Sequence, residues 1–139
     1  MSRWACPLIV AAQIPVFVAA ATSASAHHSL SGYDQSRPMA LEGVVAEFRF
    51  AHPHPFLIIK VRAANGQVED WQLEMDNLFE LDAIGMTKDS FKPGERVLAR
   101  GDPSRRKANE LYLRRLDRPS DGLRYEQVGF SPRVSYAGK

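Results

Sequence analysis

The chain has 139 residues, with 18 Lys and Arg against 16 Asp and Glu, a formal net charge of +2, four His and one Cys. A hydrophobic fraction of 45% and a charged fraction of 24% exclude a disordered polyelectrolyte, a collagen-like chain and a disulfide-stapled miniprotein, and leave room for one core. The charge is too small to imply a nucleic-acid partner by itself.

Arg3 gives a short positive start, Pro7–Ala21 is an apolar run, and Ala24-Ser25-Ala26 is a small-x-small site. This layout predicts a secretory signal peptide over residues 1–26, cut between Ala26 and His27, and export to the periplasm or beyond. An uncleaved anchor needs about 20 apolar residues, and Gln13, Pro15 and Thr22-Ser23 interrupt a shorter run here. Cleavage removes 26 of the 139 residues and takes Cys6 with them, so the exported form has no thiol. Cys6 precedes the apolar run, which argues against a lipoprotein. Any metal site must then use His, carboxylate, Met or backbone ligands.

After an irregular polar segment, residues 27–38, three stretches alternate with period two. In Met39–Phe50, Val44, Ala46, Phe48 and Phe50 fall on one face, and Gly43 is a candidate bulge. In Pro55–Ala63, Leu57, Ile59 and Val61 alternate with Ile58, Lys60 and Arg62. Asn65-Gly66 predicts a type I′ hairpin. In Gln67–Met75, Trp71, Leu73 and Met75 alternate with Asp70, Gln72 and Glu74. The period then changes. Asn77 and Glu80 have capping-box spacing, Gly85 suits the helix C′ position, and Leu78, Leu81 and Ile84 share a face. Lys92-Pro93-Gly94 reads as a turn, Arg96–Gly101 as a fourth strand and Glu110–Leu116 as a fifth.

Three strands, a short helix and two strands predict a mainly β domain over residues 39–117, a small OB-like antiparallel five-stranded barrel. The alternative is an open sheet or sandwich with a helix on one side. Residues 118–139, rich in Pro, Gly and Ser, read as a loosely docked tail. Trp71 and Phe79 are expected in the core.

His27-His28-Ser29, Tyr33-Asp34, His52-Pro53-His54, Trp71 with Glu74, and Lys92-Pro93-Gly94 follow one another in order. In this the chain resembles DUF6152, a bacterial family of small exported proteins of unknown function, from about His27 to Leu116. The usual family motif at the second site is Asn-Pro-His; His52 stands in place of the Asn, and Phe56 supplies the aromatic that follows. The resemblance implies export and a compact β-rich domain, and names no reaction.

All four imidazoles, His27, His28, His52 and His54, lie within 28 residues. Cleavage at Ala26 makes His27 N-terminal, able to chelate Cu(II) through its α-amine and Nδ1. In an extended segment His52 and His54 point the same way. The candidate metal site is therefore His27, His28, His52 and His54, with copper the expected ion. The plainer alternative makes His27-His28 a frayed end and His54 a structural residue at a proline-fixed bend. Glu74 with Asp76 is more simply a solvent-facing strand-and-cap pair than a catalytic dyad, and Ser29, His28 and Asp34 are poorly held for a triad. Gly-x-Ser-x-Gly, His-Glu-x-x-His, P-loop and dinucleotide motifs are missing, so no enzyme is expected. Arg105, Arg106, Lys107, Arg114, Arg115, Arg118 and Arg124 make the C-terminal third basic, with acids interleaved. A solvated face is the first expectation, anionic membrane or glycan binding the second, and nucleic acid is not expected. The expected role is a non-catalytic binding or accessory protein, whose partner is a metal ion or an envelope protein; the alternative is an envelope interaction module with no metal.

Overall fold

A computed structural model describes residues 30–129 and 131–137. A 3-10 turn, Leu30–Gly32, leads into strands β1 (Met39–Arg49), β2 (Phe56–Arg62) and β3 (Val68–Glu74). Helix α1 (Leu78–Ala83) follows, then β4 (Arg96–Pro103), β5 (Glu110–Arg118), β6 (Leu123–Val128) and β7 (Ser131–Tyr136). The sheet order is β3-β2-β1-β4-β5, and β3 returns to pair with β5, closing a five-stranded barrel. That closure is the parallel ladder Gln72↔Glu110, Leu73↔Leu111 and Glu74↔Tyr112; the other barrel ladders are antiparallel. The barrel with one helix between β3 and β4 is the architecture the alternation predicts.

Inside sit Val45, Leu57, Ile59, Leu73, Met75, Val97, Leu111, Leu113 and Leu116, all nearly solvent-free. Leu81, Met86 and Phe91 from α1 and the segment after it complete this core. Asn77 caps α1: its side chain accepts from the Glu80 N–H at 3.0 Å. Gly85 takes φ +82 just beyond the helix.

Four local expectations are corrected. The bulge in β1 lies between Val45 and Glu47, not at Gly43. One extra residue reverses the alternation, so Val45 faces the core and Val44 is 43% exposed. Gly43 is instead a close approach, since a Cβ there would stand 2.8 Å from the Lys60 carbonyl. The β2–β3 turn is not type I′. The Gly66 N–H donates to the Ala63 carbonyl, and Gly66 has positive φ while Asn65 does not, which is a type I turn followed by a left-handed glycine. Phe79 lies outside the core, 73% exposed on α1, because Leu81 occupies the inward position of a helix only six residues long.

The fourth correction is the tail. Arg118 ends β5, and Leu123–Val128 and Ser131–Tyr136 form β6 and β7 rather than a loose end. β5 carries β3 along Glu110–Tyr112 and β6 along Arg115–Arg118, on the same edge. Leu123 and Tyr125 alternate into the core, and Tyr125 is fully buried.

A candidate metal centre at the barrel seam

The segment before β1 is pinned along the end of β4. The Tyr33 N–H donates to the Leu30 carbonyl, the Asp34 N–H to the Pro103 carbonyl at 2.8 Å, and the Arg105 N–H to the Gly32 carbonyl at 2.8 Å. This lays the Tyr33 ring against Tyr112, with centroids 5.6 Å apart. Its hydroxyl donates to Glu74 of β3 and lies 3.4 Å from Glu110 of β5. One side chain thus spans both strands of the closing ladder. Burial and then the Glu74 hydrogen bond push the Tyr33 hydroxyl far above its usual range. It stays protonated and acts as a donor. Lys107 Nζ balances Glu110 at 2.9 Å.

Glu74 has a second neighbour. His54 Nδ1 lies 3.6 Å from Glu74 Oε1 and 3.0 Å from the Met75 carbonyl. A carbonyl can only accept, so Nδ1 carries the hydrogen, and Nε2 is the nitrogen a neutral ring offers to a metal. A backbone carbonyl and a carboxylate behind one ring nitrogen are the usual orienting partners of a ligating histidine. The Met75 N–H donates to the Pro55 carbonyl, fixing the loop that carries His54 to the end of β3.

The polar layer continues past Met75. Gln127 of β6 donates to Asp76 at 2.5 Å and accepts from Tyr125 at 2.9 Å. Burial, then the Asp76 charge, raises the Glu80 carboxyl. On the other side Asp34 accepts from Ser36, Arg37 and Arg105, and the Ser36 and Arg37 bonds hold its carboxyl at about 2.

The four predicted ligands are distributed unevenly. His54 is buried at the seam, whereas His52 is exposed, its ring 4.9 Å from that of Phe79. Residues 51–55 form a bend rather than a strand, so the same-side argument for His52 and His54 does not apply. His27 and His28 lie outside the described residues. Among the described residues no group of three His, Cys or carboxylate side chains is arranged to hold a metal. Glu74, expected to face solvent, is instead only 17% exposed and is the hub between Tyr33 and His54. Tyr33 and Glu110 were not expected at the site at all. For Glu74 and Tyr33 the available signal was their place among the family motifs; Glu110 had none.

The basic C-terminal third is largely neutralised within the domain. Arg105 pairs with Asp34, Lys107 with Glu110, Arg114 with Asp102, Arg115 and Arg124 with Asp117, and Arg118 with Glu95 and Asp121.

The DUF6152 model, described as a family of unknown function, matches residues 16–111. The chain belongs to this family. Of the motif residues that carried the resemblance, Tyr33, His54 and Glu74 meet at the seam, and Asp34 adjoins them. Trp71 packs against the core instead, and Gly94 turns beside Val45. No curated protein and no solved structure matches the chain. Among the described residues, no helix is long and apolar enough to cross a membrane.

Proposed function

We propose that this DUF6152 protein is an exported, non-catalytic binding or accessory protein that takes Cu(II) at the barrel seam. His27, with the α-amine freed by cleavage after Ala26, supplies two nitrogens, and His54 supplies a third through Nε2. His28 or His52 completes the set, and the burial of His54 makes it the anchor. The observation that carries this reading is the run of contacts from Tyr33 through Glu74 to His54. It ties the chain near the predicted new terminus to the buried imidazole. Tyr33 stands six positions after His27, and such a length spans at most about 20 Å.

Copper titration followed by spectroscopy tests this on protein beginning at His27, against the same chain with one added N-terminal residue. The extension is expected to weaken binding and change the ligand field. Affinity is also expected to fall as the medium is acidified, because protons compete with the metal for the ligating nitrogens. Equal, weak binding by both proteins overturns the reading. N-terminal sequencing of the exported form tests the cleavage site independently.

A second reading, an envelope interaction module with no metal, is favoured by Phe79. An aromatic ring 73% exposed on a helix and flanked by His52 suits a protein contact. Phe79→Ser then abolishes partner capture, which proceeds with or without copper.

A further inference from the structure

The outward faces of β1, β4 and β5 form an open groove of about 580 Å³ away from the seam. The registers place Ala40 opposite Arg100, and Arg100 opposite Arg115, in one row. The next row is Glu42, Leu98 and Asp117. Most charges here are matched. Glu42 pairs with Arg96, Asp117 with Arg115 at 2.8 Å and Arg124 at 2.7 Å, and Arg115 also approaches Glu126 at 3.7 Å.

Arg100 differs. It is exposed, it stands beside the like charge of Arg115, and no ion pair joins it to any carboxylate among the described residues. Like charges directly opposite on neighbouring strands are unfavourable, and an added anion relieves that repulsion. Leu98, 41% exposed, and Ala40 give apolar surface beside the guanidinium. A groove of this size with apolar lining and a few converging polar groups suits a small ligand.

We propose that this groove binds a small monocarboxylate with an aliphatic body. The Arg100 guanidinium takes the carboxylate through its paired N–H groups, and Ala40 and Leu98 take the chain. One uncompensated positive charge matches one negative charge. A phosphate dianion is disfavoured, because Glu42 and Asp117 flank the position. The site is independent of copper and of the N-terminal histidines.

Nitrogen-edited amide spectra of the protein, titrated with octanoate, octanamide and acetate, test the assignment. Octanoate is expected to shift the amides of Ala40, Leu98 and Arg100. Octanamide, lacking the charge, should bind at least about tenfold more weakly, the scale of one lost charge-assisted hydrogen bond, and acetate, lacking the chain, should also lose about tenfold or more through lost apolar burial. Arg100→Gln lies on an exposed strand position and is expected to fold with a melting temperature no lower than that of the wild type, while losing octanoate by a similar factor. Octanamide binding as tightly as octanoate, shifts confined to another face, no shift with octanoate, or full binding by Arg100→Gln would each overturn the proposal.

Discussion

Asp34 shows how one side chain can fix a segment that precedes the barrel. Its carboxylate is buried beneath Arg37 and Arg105 and accepts from Ser36, while its N–H is tied to Pro103. Because its folded value, about 2, lies below the usual 3.8, the ionised form favours the folded state. Its contribution is therefore complete above pH 3.8 and is lost as pH falls towards 2. Asp34→Asn should lower the melting temperature near neutral pH, and the gap from wild type should shrink as pH drops from about 4 to 2. A gap of constant size across a thermal-melting series in that window would refute the charge argument. At this scale the sequence revealed the chemical types but not their company. His54 was visible as a clustered imidazole, yet it stands 20 positions before Glu74, and Glu74 stands 41 positions after Tyr33. Only the seam brings the three together.

The strands and the helix were legible where a repeat of two or a cap left a local mark. β2 and β3 follow their alternation except at Ile58 and Glu74, both of which are largely covered, and Asn77 caps α1 as its spacing implies. β1 shows the limit, because a bulge at Ala46 changes which residues face inward without leaving any trace in composition. The β6–β7 hairpin was missed for another reason. Leu123, Tyr125 and Gln127 do alternate with Arg124, Glu126 and Val128, but the run is short and bounded by Gly122 and Gly129. Its burial depends on β5, which bears two neighbours on one edge. Tyr125→Ala tests whether the hairpin is integral to the core. Removing so large a buried side chain should cost about 3–5 kcal/mol in denaturant unfolding. A loss below 1 kcal/mol would restore the loose-tail description.

Barrel closure and candidate site occupy the same place. β3 and β5 join through three residue pairs, against six for β1 with β4. The short ladder sets Glu74 and Glu110 near each other, and the Tyr33 hydroxyl lies between them. Tyr33→Phe removes that donor and leaves a partly buried carboxylate short of a partner, at a cost of about 1–3 kcal/mol. The effect should be local, because the remaining ladders do not involve Tyr33. Hydrogen exchange at Gln72, whose N–H donates to the Asn109 carbonyl at 2.9 Å, should accelerate about tenfold or more in the variant. Exchange at Ile59, in the middle of β2, should stay unchanged. Copper adds a second arm to the same measurement. A metal bound by His27 and His54 ties the N-terminal segment across the seam, so it should slow Gln72 exchange in protein beginning at His27. With copper at a hundredfold excess over its dissociation constant, the stabilisation is about 2.7 kcal/mol. The chain extended by one N-terminal residue should gain far less. If Tyr33→Phe accelerates exchange evenly across the barrel, the seam is not a separable joint. If copper slows Gln72 equally in both chains, the metal is not held by the freed amine.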